Sequence, residues 1–495
     1  MKNTLSDPLT LNNSTLSQLP DAIKRPTYDR ARLTPGIVHI GVGNFHRAHQ
    51  AWYVHQLMQQ GEAFDWAIIG AGVRPNDTAM RDKLRQQDYL TTLIELAPDR
   101  RSAEIIGPMI DYIPVEVGNG PLIQAMADPA IRIVSLTVTE GGYYLDPATG
   151  GFDATHPDMV HDARHRDAPK TAFGAIVAAL NLRRQVGIQP FTGQSCDNLQ
   201  GNGRILRQTV VGLARLSNPA LADWIDTQGA FPNAMVDCIV PATGSAERAL
   251  SRDMGVVDNA PVAHENFRQW VIEDTFCMGR PNWNKVGVTF TDDVHPHELM
   301  KIRILNAGHQ VIANVGEVLS IETIADCMVH PRIAAFFHKV QQDAIVPYVP
   351  AVPGMVAKDY VMLIDRRFSN PAIQDTARRV AFDGSSRHTG FVLPILRDAL
   401  RAGGPVDGFA LVEALWARMC FGTREDGSTI EPNDPHWQNL TTVAARARAV
   451  PHEWLAQSHI YGDLAMAQSF AQAFEKYLKI IWTSGALAAI ESYLG

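Results

Sequence analysis

Residues 36–50 read GIVHIGVGNFHRAHQ, and this stretch decides the fold class of the chain. It begins as a short apolar strand, turns at Gly41 and Gly43, and continues into apolar residues at helical spacing. The order strand, glycine turn, helix is the context that a dinucleotide-binding fingerprint requires. Gly41 can form the tight turn and Gly43 can let the backbone approach a pyrophosphate, but His46 occupies the third glycine position. The fingerprint is therefore partial.

The residues after this turn are the expected phosphate-binding segment. A helix N-terminus presents backbone N–H groups to a phosphate. Asn44 and Phe45 stand at that position, and Arg47 adds positive charge. His46 and His49 form an H-x-x-H pair, but no acidic partner or third ligand follows at metal spacing, so we expect no metal here.

The second predicted strand, residues 65–70, bears on the choice of cofactor. It ends in AGVRPND, where an acid normally binds the adenosine ribose hydroxyls and an arginine accommodates a 2′-phosphate. Both Asp77 and Arg74 are present. Asp77 can also cap a helix over residues 78–86, because aspartate is a preferred N-cap residue. The loop favours NAD over NADP.

Strands and helices continue to alternate up to about residue 290, and polar residues follow several of the strands. Open α/β sheets bind ligands at the carboxyl ends of their strands. Asn198, after a strand predicted over residues 190–196, can donate its amide to a reacting oxygen. Alternatively, Asp197 or Asn198 caps the next helix. Asp237 lies in an apolar strand, where a carboxylate needs a partner.

From Pro296 to the C-terminus the pattern is helical. Helices are predicted over residues 297–320, 321–329, 331–347, 371–381, 391–402, 407–419 and 464–493. The predicted architecture is α/β. An N-terminal arm and a Rossmann-type NAD-binding domain span residues 1–290, and a mostly α-helical substrate and catalytic domain spans residues 291–495. Because ligand sites occur preferentially at domain interfaces, we expect the first helix of the second domain to face the strand ends of the first.

That first helix carries the sequence HELMKIRILNAGH, residues 297–309. At about 100° per residue, His309 lies about 80° and Asn306 about 140° around the helix from Lys301. Lysine is costly to bury unless it is paired or deprotonated. Desolvation would lower its pKa, as a general base working near neutral pH requires. Lys301 can also extend to solvent, with His309 a core histidine.

Composition excludes several classes of protein. The 495 residues predict two or three domains. A net charge of −8 without a basic cluster excludes nucleic acid as the expected partner. The polar N-terminus lacks the apolar core of a signal peptide, and the longest apolar runs are too short to span a membrane. Five scattered cysteines predict reduced thiols and a cytoplasmic location.

Taken together, these residues resemble the polyol-specific long-chain dehydrogenases. The resemblance runs in order over nearly the whole chain. Its motifs are GVGNFHRAHQ (41–50), SLTVTEGGY (135–143), SCDN (195–198), Asp237 in MVD, K-x4-N-x2-H (301–309), RFSNP (367–371) and DGSS (383–386).

The resemblance implies metal-independent hydride transfer between NAD(H) and a secondary alcohol/ketone pair of an open-chain sugar. Lys301 would take the hydroxyl proton. Asn198 and Asn306 would hold the oxygen as negative charge develops on it. His309 would bind and orient the reacting hydroxyls.

The resemblance also implies roles at the edge of this site. Asp237 and Arg379 would bind other hydroxyls of the substrate. Glu298, three residues before Lys301, can face the same way and would help to carry the proton to solvent, although a plain surface ion pair fits its position too. The family pattern has a second acid where this chain has Asn76, which weakens the repulsion of a 2′-phosphate and leaves some NADP use open.

Three other functions are alternatives to metal-independent oxidation of an uncharged polyol. The same family contains fructuronate and tagaturonate reductases, which carry lysine in place of Gly141, so Gly141 favours an uncharged substrate. Mannitol, giving fructose, is the first choice, followed by D-arabinitol and D-sorbitol. A zinc-dependent polyol dehydrogenase is disfavoured because no cysteine/histidine/glutamate cluster has the required spacing. A non-catalytic NAD sensor is disfavoured because the lysine, asparagine and histidine set is retained. The sequence does not give the oligomeric state.

Overall fold

The computed structural model describes residues 7–146 and 149–495. The chain forms two compact units, Met1–His295 and Pro296–Gly495. Within the described ranges, no helix is both long and apolar enough to cross a membrane.

Strands build the centre of the first unit. They are β1 (Leu9–Thr10), β2 (Pro35–Ile40), β3 (Ala67–Ala71), β4 (Thr91–Leu96), β5 (Arg101–Ile106), β6 (Met109–Tyr112), β7 (Ile133–Leu136), β8 (Thr192–Ser195), β9 (Ala234–Asp237), β10 (Val256–Val257), β11 (Val262–Glu265), β12 (Gln269–Glu273) and β13 (Thr289–Thr291). A parallel five-stranded sheet has the order β6-β3-β2-β7-β8. Smaller sheets have the orders β11-β4-β5, β13-β12-β9 and β1-β10.

The register of the five-stranded sheet aligns the carboxyl ends of its strands. Ile40 of β2 pairs with Ala71 of β3 and with Leu136 of β7, and Leu136 pairs with Ser195 of β8. The segments that follow these four strands therefore leave the sheet at the same edge. Central strands of such a sheet are covered on both faces, which explains why the GIVHI run of β2 is buried throughout.

Helices cover both faces of this sheet, with a separate apolar core on each side. They are α1 (Asn44–Ala48), α2 (Gln50–Gln59), α3 (Asp77–Arg85), α4 (Gly120–Ala127), α5 (Pro157–Arg164), α6 (Ala172–Gln185), α7 (Asn202–Ser217) and α8 (Pro219–Gln228). A further helix, α9 (Ser245–Asp253), packs against β10 instead.

The second unit is a helical domain around one large apolar core. Its helices are numbered from α10, which begins at the last residue of the first unit. They are α10 (His295–Lys301), α11 (Ala307–Val318), α12 (Ile324–Val329), α13 (Pro331–Val340), α14 (Ala357–Phe368), α15 (Ala377–Ala381), α16 (Gly384–Arg387), α17 (Leu393–Arg401), α18 (Asp407–Met419), α19 (Trp437–Ala447), α20 (His452–Leu455), α21 (Ser458–Tyr461), α22 (Gln468–Ser484) and α23 (Ala486–Leu494). Single π turns occur at Ile302–Asn306, Gln341–Ile345 and His388–Val392.

The predicted fold class, a Rossmann-type α/β domain followed by a mostly helical domain, is confirmed. Some predicted elements are wrong in detail. The helix predicted over residues 464–493 is broken at Gly485, whose φ of +94° cannot occur inside an α-helix. The helix predicted from residue 371 begins only at Ala377, after Thr376 caps it. The prediction also omitted α14.

Candidate active site

The glycine turn follows β2 at the carboxyl edge of the parallel sheet. Gly41 has a φ of +95°, which residues with a side chain rarely adopt. A Cβ at Gly41 would lie 2.2 Å from the carbonyl oxygen of Thr137. A Cβ at Gly43 would meet nothing closer than the Gly41 carbonyl oxygen, at 4.0 Å. The turn itself therefore requires Gly41, whereas Gly43 leaves open space along the backbone, as the close approach of a pyrophosphate requires.

The side chains of Asn44 and Arg47 form hydrogen bonds within the protein. Asn44 Nδ2 donates to the Pro241 carbonyl oxygen and to Thr243 Oγ1, both at 2.9 Å. The Arg47 guanidinium donates to Asn44 Oδ1 at 2.7 Å and to the Gly43 carbonyl oxygen at 3.2 Å, and Arg47 is only 1% exposed. These two side chains fix the start of α1, so backbone N–H groups are the natural phosphate ligands at this turn.

His46, at the third glycine position of the fingerprint, packs against the sheet. Its ring stacks on His39 of β2, with centroids 3.4 Å apart, and Phe45 stacks on His49 at 4.8 Å. Burial lowers the pKa of His39 to about 3. Burial, and then the neighbouring His39, hold the pKa of His46 well below its usual value. Two neutral imidazoles therefore form the helix–strand contact that a third glycine would otherwise make.

Asp77 is the first residue of α3, and its side chain folds back over the preceding loop. Asp77 Oδ2 accepts the N–H groups of Val73 and Arg74, each at 3.0 Å. A Cβ at Gly72 would lie 2.3 Å from the Asp77 side chain. The N-cap of α3 is Asn76, which makes no capping bond. Asp77 thus closes the loop instead of capping the helix, and its carboxylate stands where a ribose-binding acid is expected.

Asp197 joins the carboxyl ends of β7 and β8. Its carboxylate accepts the N–H groups of Val138 at 3.0 Å and Thr139 at 2.9 Å, and the Tyr143 hydroxyl at 2.7 Å. Because Thr139 has a φ of +69°, this segment is in a conformation that needs such support. Asp197, the residue before Asn198, therefore ties the end of β8 to the segment that follows β7.

Asn202 ties the Asn198 segment to β9. Asn202 Nδ2 donates to the carbonyl oxygens of Asp197 at 3.0 Å and Ala234 at 2.8 Å, and its Oδ1 accepts the Ala234 N–H at 2.9 Å. Asn202 therefore holds the backbone before Asn198 against the start of β9, the strand that ends at Asp237. Neither Asp197 nor Asn198 caps α7, because that helix starts after Gly201 without a side-chain cap.

A π turn separates Lys301 from His309 in the second unit. Lys301 is the last residue of α10, the π turn spans Ile302–Asn306, and α11 continues from Ala307. A π turn adds one residue to a helix, so later residues rotate back by about 100°. Asn306 then lies about 40° from Lys301, and His309 about 20° from it on the other side. The arc predicted for a regular α-helix was therefore too wide, and the three residues share one face.

His309 is a neutral imidazole in a preset orientation. Its ring stacks on Phe368 with centroids 4.1 Å apart and planes 9° from parallel. Burial lowers its pKa to about 3; Asp375 opposes this shift, and nearby arginines including Arg379 reinforce it. His309 Nε2 and Asn306 Oδ1 are buried polar atoms without a hydrogen-bond partner among the described residues. Both atoms can bind substrate hydroxyls.

Arg379, predicted to bind substrate, is anchored by a carboxylate. Its Nε and Nη2 donate to the two oxygens of Asp375, each at 2.6 Å. The Arg379 side chain is 61% exposed, whereas that of Asp375 is buried. The bidentate pair fixes the plane of the guanidinium, so its remaining edge can be offered to a hydroxyl in a defined direction.

Lys301 and Glu298 both lie on α10. Lys301 is 6% exposed and Glu298 is similarly buried. Neither is a solvated surface charge, in contrast to the alternatives in which Lys301 extends to solvent and Glu298 forms a surface ion pair.

Outside these helices, the stacked pair His161 and His165 lies at the end of α5. Among the described residues, no group of three or more His, Cys, Asp or Glu side chains could hold a metal ion.

Two of the supporting residues were missed by sequence reasoning. Asn202 has its partner Ala234 32 positions away, and Phe368 reaches His309 from α14, which was not predicted. Neither contact leaves a signal in local spacing. Asp197, in contrast, stands beside Asn198 in the SCDN motif, where its role in fixing the backbone could have been considered.

The first unit has a Rossmann-type sheet with a glycine turn at its carboxyl edge, and the second has a helix that groups a lysine, an amide and a neutral imidazole. These features together define a dinucleotide-dependent dehydrogenase. Models of known families agree. The mannitol dehydrogenase Rossmann domain matches residues 35–285, and the mannitol dehydrogenase C-terminal domain matches residues 293–482. The chain belongs to the mannitol dehydrogenase family, which confirms the resemblance drawn from the motifs.

Relatives cover almost the full length of the chain. Mannitol 2-dehydrogenase from Cereibacter sphaeroides is 55% identical over 473 residues, which are 96% of this chain and 99% of that protein. The solved structure of Pseudomonas fluorescens mannitol 2-dehydrogenase, a ternary complex with NAD and D-mannitol, is 40% identical with a TM-score of 0.87, and covers 98% of this chain and 99% of its own. A D-sorbitol dehydrogenase structure is 34% identical with a TM-score of 0.90, and covers 97% of this chain and 100% of its own.

Proposed function

We propose that this protein catalyses the NAD-dependent oxidation of D-mannitol at C2 to D-fructose, and the reverse reduction. The observation that carries the proposal is the π turn, which groups Lys301, Asn306 and His309 on one helix face. Full-length relatives named mannitol 2-dehydrogenase, and one solved with NAD and D-mannitol, support the choice of substrate.

NAD fits the residues of the first unit. Gly41 and Gly43 would let the pyrophosphate approach the backbone, and the α1 N-terminus from Asn44 and Phe45, fixed by Arg47, would bind it. The carboxylate of Asp77 would bind the ribose hydroxyls and repel a 2′-phosphate. When bound, the nicotinamide ring supplies the hydride acceptor.

The side chains divide the work of alcohol oxidation. Lys301 takes the proton of the C2 hydroxyl while the hydride leaves the same carbon, so a C–H and an O–H bond break and a C=O bond forms. Asn198 and Asn306 donate their amide N–H groups to the oxygen, whose negative charge grows in the transition state. His309, neutral at working pH, binds a hydroxyl without adding charge.

The remainder of the sugar would be bound by Asp237 and Arg379, and Glu298 would pass the proton from Lys301 towards solvent. Gly141 supports an uncharged substrate. A Cβ at this position would meet nothing within 4 Å, so packing does not require glycine there, and a carboxylate-binding lysine would have room.

The proposal extends to location and partners. The five cysteines are free thiols, which supports a cytoplasmic enzyme acting on a small-molecule polyol or ketose.

A substrate panel tests this function. The purified, chelator-treated protein is assayed for NADH formation with mannitol, sorbitol and arabinitol, and for NADH consumption with fructose, fructuronate and tagaturonate. We expect the highest kcat/KM for mannitol and fructose. Turnover confined to the two uronates would contradict the proposal and assign the chain to hexuronate reduction.

A further inference from the structure

Gln341 contacts the π turn from a neighbouring helix. It follows α13 directly and is fully buried. Its Nε2 donates to the carbonyl oxygen of Ile304, inside the π turn, at 2.8 Å. This bond joins residues 37 positions apart, so it fixes the turn from outside its own helix.

Gly308 adapts the helix to this contact. A Cβ at Gly308 would lie 2.6 Å from Gln341 Nε2 and 3.1 Å from the ring of Phe337. The glutamine amide therefore sits against the helix backbone one turn beyond Ile304. Only glycine leaves the amide room to reach the carbonyl.

A π turn needs such support. Regular α-helix is preferred over the π form, which occurs mostly as single turns at functional sites. If the turn moved along the helix or reverted, Asn306 or His309 would rotate by about 100° relative to Lys301. The shared face would be lost without any change in the three side chains.

We propose that Gln341 is a positioning residue. Its amide holds the Ile304 carbonyl and thereby fixes the π turn that places the lysine, the asparagine amide and the imidazole on one face. The inference rests on the proposed function, because it assigns those three groups to the reaction. It adds a residue that touches neither substrate nor cofactor.

Two substitutions at Gln341 test the proposal on the best substrate of the wild-type enzyme. Q341L removes the donor at similar size, and we expect kcat to fall about 10- to 100-fold, the scale of a 1 Å misplacement. The dissociation constant for NADH, measured by fluorescence, should stay unchanged because its predicted site lies in the first unit. Q341E donates only while its carboxyl is protonated, so its ketose reduction should approach the wild-type rate at low pH and fall as pH rises.

A matched control is Q457L. Gln457 is also a buried glutamine of the second unit, its Nε2 donates to the Trp454 carbonyl oxygen at 3.1 Å, and its Oε1 likewise lacks a partner among the described residues. We expect Q457L to keep the wild-type kcat, whatever its effect on stability. The change from glutamine to leucine should therefore lower kcat at position 341 and leave it unchanged at position 457.

A second variant keeps the test independent of folding at Gln341. G308A should displace the amide and lower kcat, and the double variant G308A/Q341A should be no slower than the worse of G308A and Q341A. Wild-type kcat in Q341L, or a pH profile of Q341E that matches the wild type, would overturn the inference. Inactivity of the wild-type enzyme on the whole panel would instead refute the proposed function, and this inference with it.

Discussion

Lys301 is the residue on which the proposed chemistry depends. It ends α10 directly before the π turn and is almost fully buried. We expect K301A to lower kcat by about 10³- to 10⁴-fold, near the upper range for the loss of a general base, with NADH affinity retained. K479A is the control, because Lys479 is an exposed residue paired with Glu475 at 2.5 Å. If K301A kept more than a tenth of the wild-type kcat, another group would have to be the base.

Asp77 governs the choice between NAD and NADP. D77N retains an oxygen that can accept the N–H groups of Val73 and Arg74, so the loop should keep its shape, but it removes the charge that repels a 2′-phosphate. We expect the ratio of kcat/KM for NADP to that for NAD to rise about 10-fold, equal to about 1.4 kcal/mol. D82N, at an α3 residue whose side chain is 46% exposed, should leave the ratio unchanged. An unchanged ratio in D77N would show that Asp77 only closes the loop.

For single residues, the sequence predicted which kinds of side chain occur at the site better than it predicted which of them are free to bind a ligand. Arg47 was predicted to add positive charge for a phosphate, but its guanidinium bonds to Asn44, and Arg379, predicted to bind substrate hydroxyls, has one edge bound to Asp375. Asp375 is buried and stands only four positions before Arg379, yet nothing in the sequence distinguishes a bound carboxylate from an exposed one. Hydrogen-bond partners are set by the tertiary fold, and they cannot be predicted from the spacing of residues in the sequence.

At the scale of elements, the glycine turn separates folding from binding. G41A should lower stability, since its φ of +95° and a Cβ 2.2 Å from the Thr137 carbonyl both oppose alanine. G43A should keep the thermal midpoint within a few degrees but weaken NADH binding about 10-fold or more, because the methyl group occupies space needed for the pyrophosphate. Calorimetry and NADH titration check both effects.

The control for this pair is G120A at the start of α4, where a Cβ also meets nothing within 4 Å. It should change neither the thermal midpoint nor NADH affinity. Normal NADH affinity in G43A would show that the pyrophosphate does not approach Gly43.

The π turn marks the limit of element prediction from this sequence. The residues from His297 to His309 were predicted as helix, which is correct, but a constant 100° per residue gave the wrong face angles. A π turn differs from α-helix by one hydrogen-bond step, and the sequence IRILN contains no residue that demands it. The support comes from Gln341, in another helix, so only the folded structure reveals it.

At the scale of the whole molecule, buried imidazoles predict how stability depends on pH. Burial lowers the pKa of His39 and His264 to about 3, whereas an unfolded histidine titrates near 6.5. Between these values the unfolded chain binds one more proton per imidazole, so the free energy of unfolding falls as pH falls. The expected slope is about 1.4 kcal/mol per pH unit for each imidazole.

Denaturant unfolding between pH 7 and 5 measures this slope. H39Q should flatten it by about one imidazole's share below pH 6, apart from any loss of stability at pH 7. H459Q, at an exposed histidine, is the control substitution. Equal slopes for H39Q and the wild type would mean that His39 is already protonated in the folded protein.

The fold class could be predicted from the sequence because the two patterns that indicate it are repeated many times. Alternating strands and helices recur through the first 290 residues, and helical periodicity fills the rest, so single errors do not change the result. The site is different. It depends on a few tertiary contacts, such as Asn202 with Ala234, and a single shifted residue would change it.

Metal-independent hydride transfer is tested by oxidation of D-mannitol deuterated at C2 and C5, which are equivalent carbons, by the chelator-treated protein with NAD. We predict that fructose and deuterated NADH form in equal amounts, that the label slows turnover, and that K301A slows the reaction about 10³- to 10⁴-fold. No NADH from mannitol, or turnover that depends on an added divalent metal, would contradict the claim of metal-independent hydride transfer with lysine as the base.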